Sequence, residues 1–254
     1  MKAFIAFTKK EFMESFRTYK FAILLTIFLL FGFMNPIVAK VMPEMIQSFL
    51  PEGMTITLAP STALDSWMQF FKNVSQMGFI LLVVLNSGLM ANEFSRGTLV
   101  NMLTKGLSRP TVVLSKLFAA TLTWTLSYLI CIAVTYAYTV YFWESANVEN
   151  LFLALFGLWI FGVLLIALTL LGGILFKNMA GSLLFTGIMV VVMTVINIIP
   201  KASPYNPSTI STNNVALITG AQSTSEFSLA IVVSVIVISS IIGTAMVIFN
   251  RRQI

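Results

Sequence analysis

Histidine is absent from the 254 residues, cysteine occurs once, and acidic side chains number nine against fifteen lysines and arginines. Each scarcity excludes something. Without histidine and with one thiol, neither an intrachain disulfide nor a Cys/His metal site can form. The single cysteine, Cys131, lies inside an apolar run, where a thiol behaves as a small hydrophobe rather than a nucleophile. Charged residues are only 9% of the chain, against roughly 25% in soluble domains, so they cannot cover a water-exposed surface. No G-x-x-x-x-G-K-[ST] loop occurs, which removes that route to ATP hydrolysis. The expectation is a chain that is not an enzyme and binds no cofactor of its own.

What the chain has instead is apolar sequence, 58% of all residues with a mean hydropathy of +0.94. Charge-free runs long enough to cross a bilayer fall at about 21–39, 74–92, 117–140, 151–176, 181–199 and 228–249. The fold class read from this pattern is all-α: a polytopic membrane protein with a six-helix transmembrane domain over 21–254. The first 20 residues are basic and have no small-residue cleavage site after a short apolar core, so they read as retained sequence rather than a signal peptide.

Orientation follows from the cations. Lys2, Lys9, Lys10, Arg17, Lys20, Arg96, Lys105, Arg109, Lys116, Lys177, Arg251 and Arg252 fall on one side of the six spans, and only Lys40, Lys72 and Lys201 on the other. Both termini are thus expected in the cytoplasm, and an even number of spans is what returns the chain to its starting side. The net charge of +6 reads as a topology signal, not as a nucleic-acid surface.

Residues 1–20 form an expected amphipathic helix in the membrane interface, with Phe4, Ile5, Thr8, Phe12, Phe16 and Tyr19 on one face and Lys10, Glu14 and Arg17 opposite. Two further segments are long. Lys40 to Lys72 contains Ala63 to Asn73, whose Trp67, Met68, Phe70 and Phe71 suggest a short helix at the outer headgroup level. Pro200 to Phe227 begins with Pro200, Pro204 and Pro207 and favours turns and extended chain.

The span interiors hold no ionisable residue, which disfavours proton- or ion-coupled carriage. The conspicuous polar groups at depth are Asn35, Asn86 and Asn197. They are candidates for a translocation path, although amides in lipid more commonly hold helices together.

The most informative stretch joins the second and third spans, from Asn92 to Pro110. Ser95 is placed to cap a short helix, Gly106 to close it in a left-handed conformation, and Ser108 with Pro110 to open the next span. Leu99, Met102 and Leu103 share one face of that helix, framed by Arg96, Lys105 and Arg109. Physical chemistry alone allows two roles: docking in a groove of a cytosolic partner, or lying on the inner leaflet.

The order Glu93, Arg96-Gly97-Thr98-Leu99, Leu103, Ser108-Arg109 and Lys116 resembles the E-x-x-x-G-T-L, S-R, K signature of type-2 ABC exporter permeases. Lys10-Glu11-Phe12 with Arg17 is similar to the N-terminal connecting helix of that family. The resemblance implies a bacterial cell membrane, a permease working as a homo- or heterodimer in contact with lipid, and a separate cytosolic ABC ATPase that carries the ATP and magnesium. It makes Glu93, Arg96, Gly97, Thr98, Leu99, Met102, Leu103, Lys105 and Arg109 the ATPase-coupling residues, with Lys177 of the second cytosolic loop nearby. The implied activity is efflux of hydrophobic or amphipathic cargo such as peptides or antibiotics. A membrane anchor or assembly factor that only recruits a partner is the alternative.

Overall fold

A chain in lipid has to satisfy its own backbone hydrogen bonds, and a helix does so within one segment. The computed structural model of the protein, which describes residues 2–48, 59–95, 97–104 and 106–252, obeys this constraint, since all regular structure among these residues is helical. In chain order the helices are α1 (Lys2–Arg17), α2 (Lys20–Ser48), α3 (Ala63–Ser95), α4 (Thr98–Thr104), α5 (Arg109–Trp143), α6 (Leu151–Phe176), α7 (Met179–Ile196), the short α8 (Thr209–Thr212) and α9 (Asn214–Ile218), and α10 (Thr224–Arg251). Six of them, α2, α3, α5, α6, α7 and α10, are long and apolar enough to cross a membrane. The six-span all-α architecture expected from the sequence is the one observed.

The helices outrun the apolar segments that announced them. α2 runs through Pro36 and continues nine residues beyond Ala39, past Pro43 as well, and α5 begins at Arg109 rather than at Leu117. The absence of charge marks the part of a helix that faces lipid, whereas the helix itself runs on wherever backbone bonds and packing sustain it. The consequence for the site is direct, because Glu93 and Lys116, which flank apolar runs in the sequence, both lie inside helices.

Residues 63–73 differ more from expectation. They form no separate headgroup helix but are the first turns of α3, with Trp67, Phe70 and Phe71 buried in the main core. The aromatic side chains that suggested an interface are packed into the bundle, where Phe70 meets Tyr128 of α5 at 5.8 Å. α3 then passes through a π-turn at Val74–Gly78 and a break at Ser87 before ending at Ser95. The proline-rich segment after α7 forms a 3-10 turn at Ser203–Tyr205 followed by α8 and α9, and it buries Ile210, Leu217 and Ile218 against the same core.

α6 is the central element, with buried residues around its whole circumference from Ala154 to Ile174. Its contact with α5 is set by Gly162, where an added Cβ would lie 2.4 Å from the Trp124 indole. Trp124 stacks on Tyr128 at 4.9 Å, its Nε1 donates to the Trp159 carbonyl, and the Tyr128 hydroxyl donates to the Leu155 carbonyl. Cys131 is buried in this region, as the sequence implied. α7 is the least enclosed span and presents Leu184, Ile188, Val191 and Val195 outward.

Candidate functional site

At the end of the bundle where the described termini lie, α1 is seated on α5 and α2 by an inward face that includes Phe7 and Glu11. Ile5, Phe16 and Tyr19 of the expected apolar stripe are exposed, and the opposite side is not simply solvated. Helical spacing stacks Phe7 and Glu11 one turn apart, and the carboxylate so placed is drawn into the protein by a buried cation.

That cation is Lys116. Its Nζ lies 2.8 Å from Glu11 Oε2 and 2.9 Å from Glu93 Oε1, and its side chain is only 3% exposed. Lys10 closes the other side of the cluster, 2.8 Å from Glu11 Oε1, 2.7 Å from Glu14 Oε2 and 3.4 Å from Glu93 Oε1. Burial works to lower the Lys10 ammonium, but hydrogen bonds and charge from Glu11 and Glu14, with Glu93 beyond, outweigh it and hold the group above its ordinary value. Thr98 at the start of α4 donates its hydroxyl to the Glu93 carboxylate. Beside these groups lies a small polar cavity of about 50 Å³, lined by Glu14, Thr18, Asn86, Asn92 and Thr123 among others, with room for a few water molecules. One network therefore ties α1, α3, α4 and α5 together.

α4 is held to the bundle by apolar contact as well. Leu99 is fully buried in a cluster with Phe7, Met90, Val112, Ile174 and Phe249. This corrects the expectation that Leu99 lies on an exposed docking face. A seven-residue helix has too few internal hydrogen bonds to persist by itself, and the side chain that anchors it must point inward. Leu103 is half-buried and lies outside that cluster. Arg96 and Lys105 lie outside the described residues, as does the side chain of Met102.

The turn chemistry is close to what was expected, with one change. Gly106 takes a left-handed conformation (φ 86) after α4, and Ser108 precedes α5 with Pro110 in its first turn. Ser95, however, does not cap α4. It completes α3, its hydroxyl donating to the Asn92 carbonyl, and the break is made at Gly97, also left-handed at φ 65.

Arg109 is committed within the subunit. Its guanidinium donates to the carbonyls of Phe249, Asn250 and Arg252, satisfying acceptors that the end of α10 leaves open. Arg252 in turn donates to Leu175 at the end of α6. Lys177, expected near the coupling loop, has its Nζ 5.7 Å from the centre of the Phe94 ring, next to Glu93 in sequence. The turn between α6 and α7 thus meets the end of α3.

The three asparagines make separate hydrogen bonds within the bundle. Asn35 is fully buried; it donates to Thr135 and accepts from Asn73 Nδ2 at 2.7 Å, tying α2 to α5 and α3. Asn86 donates to the Leu82 carbonyl of its own helix. Asn197 accepts from Thr209 and donates to Thr212, fastening α8 to the end of α7.

Sequence reasoning missed Glu11 as the counter-ion of Lys116. The signal available was an acidic residue among the lysines and arginines of residues 1–20, one turn from a phenylalanine, Phe7, that was not on the assumed apolar stripe.

The bundle and its internal ion network define a multi-pass α-helical membrane protein. No family model matches the chain. It is similar to YxlG, described as an uncharacterized transmembrane protein of Bacillus subtilis (strain 168), with 21% identity over 215 residues, 83% of each chain.

Proposed function

We propose that the chain is the permease subunit of an ATP-driven ABC exporter of the type-2 class, coupling a separate cytosolic ATPase to efflux of amphipathic cargo. The observation that carries this reading is the Lys116 network. A force applied at α4 reaches α1, α3 and α5 through Glu93, Thr98 and Glu11, and reaches α6 and α10 through Leu99 and its apolar neighbours. A receiver for a mechanical stroke has to move as one body, and buried charge pairs resist separation because each ion left alone would be desolvated. The resemblance of Glu93 to Lys116 and of Lys10 to Arg17 to the exporter signature supports the same assignment. Under this reading ATP and magnesium stay on the partner, and a second permease copy, identical or related, completes the pathway against the outward face of α7.

The test is reconstitution with an ABC ATPase encoded beside the gene. Co-purification and ATPase turnover that falls on Leu103→Asp, with the fold unchanged, is the expected result. Failure of any ABC ATPase to associate would leave the chain as an anchor or assembly factor. A second measurement addresses orientation: with Cys131 replaced, single cysteines at Ser95 and Lys177 should resist an impermeant thiol reagent in intact cells, while those at Ser61, Asn147 and Ser211 should label. Labelling at Ser95 would reverse the assignment.

A further inference from the structure

Between α3 and α7, at the end of the bundle away from α1, lies a cleft of about 600 Å³, within the size range of small-molecule sites. Its floor is apolar, formed by Phe79, Phe161 and Leu165, and the α8–α9 segment closes one end. Along α3 the lining changes character. Ile80, Val83 and Val84 are apolar, whereas Lys72, Ser75 and Gln76 bring charge and hydrogen-bonding groups to the other end. Lys72 to Val84 spans about 18 Å of helix. Ser75 and Gln76 belong to the π-turn Val74–Gly78, and such turns are frequent at functional sites.

Two groups at the polar end are open to a ligand. Lys72 is exposed, and none of the ion pairs among the described residues includes it. Asn214, at 1% exposure, lines the cleft. Its Nδ2 donates to the Ser211 carbonyl, which fixes the orientation of the amide, and its buried Oδ1 has no hydrogen-bond partner. A buried acceptor without a donor costs stability unless a ligand supplies one. The Ser211 carbonyl also accepts from Ser75, so the α3 π-turn and the Asn214 amide converge on one point.

We propose that this cleft binds a single-chain amphiphile whose anionic head also carries an O–H or N–H donor. The chain lies along Phe79 to Val84, the head charge meets Lys72, and the donor satisfies Asn214 Oδ1. Among the described residues the cleft has one apolar trough and one cation, which fits one chain and one anionic head. This deepens the transport reading by naming its cargo class and rests on that reading only for movement, since binding requires no ATPase.

The protein alone, in nanodiscs of zwitterionic lipid, is labelled with a photoactivatable lysophosphatidate, whose phosphate and free hydroxyl provide both head features. Expected is saturable labelling of α3 near 72–84 or α7 near 183–194. Unlabelled lysophosphatidate should compete about tenfold better than the monoacylglycerol of the same chain, a preference that Lys72→Gln should abolish. The 2-deoxy analogue should compete more weakly than lysophosphatidate in the wild type and equally with it in Asn214→Leu. Equal competition by the uncharged lipid, equal competition by a two-chain phosphatidate, or an unchanged preference in Lys72→Gln would overturn the proposal. A phosphate-selective site in a protein that associates with no ATPase would reject transport and keep the site. An ATPase-coupled protein without that selectivity would do the reverse.

Discussion

Replacement of Lys116 by methionine should lower the stability of the purified protein by about 3–5 kcal/mol, the usual effect of removing one partner from a buried ion pair. The side chains of Glu11 and Glu93 are each 7% exposed and share this cation. Without it they keep Lys10, which lies 2.8 Å from Glu11 and 3.4 Å from Glu93 but is half in solvent and also occupied by Glu14. Thermal unfolding in detergent would show a lowered midpoint. The diagnostic arm is the combination of Lys116→Met with Glu11→Gln and Glu93→Gln, which removes the charges together and should recover most of the loss, since neutral replacement of a buried network is far less costly than breaking it. A Lys116→Met protein as stable as the wild type would mean that water, not Lys116, solvates these carboxylates, and the proposed rigid receiver would lose its basis.

Leu99→Asp should be the more damaging of two substitutions that look equivalent in sequence. Leu99 is 0% exposed among Phe7, Met90, Val112 and Phe249, so aspartate there is either a desolvated charge or a protonated acid in an apolar cluster. The expected result is a loss above about 4 kcal/mol, at the extreme of single substitutions, seen as poor recovery and aggregation in size-exclusion chromatography. Leu99→Met should be tolerated, because volume is nearly kept. Leu103→Asp, by contrast, places the charge at a half-buried position outside the cluster and should leave the fold intact. Its effect should appear only when the ATPase is present. If Leu99→Asp folded normally while Leu103→Asp did not, the depths assigned to the two ends of α4 would be reversed.

Both predictions concern residues that sequence reading identified but could not place. Leu99 and Leu103 lie four positions apart and therefore on one side of a helix, yet a four-residue offset does not say how deep each one sits. Depth is set by what each side chain meets, Leu99 packing on Phe7, Met90, Val112 and Phe249 after the left-handed turn at Gly97, and Gly97 was read as part of a signature rather than as the turn. Arg109 is a similar case. A cation at a span boundary is expected to face lipid phosphate or a partner, but this one is captured by the open carbonyls at the end of α10, 140 residues away in sequence. No local pattern encodes that meeting.

Legible in one dimension are the solvent, the number of spans and their helical character. These follow from one-dimensional quantities: the length of each charge-free run against bilayer thickness, and the requirement that backbone groups in lipid bond within their own segment. The tertiary structure alone decided that Glu11, Glu93 and Lys116 form one buried network, that the aromatic turns of α3 belong to the core, and that Asn214 is left with an unpaired oxygen in a cleft. Those outcomes depend on which helix faces pack together. In a bundle whose surfaces are almost uniformly apolar, hydrophobicity cannot choose between faces, so the choice falls to a few small residues, hydrogen bonds and charges whose partners lie far away along the chain.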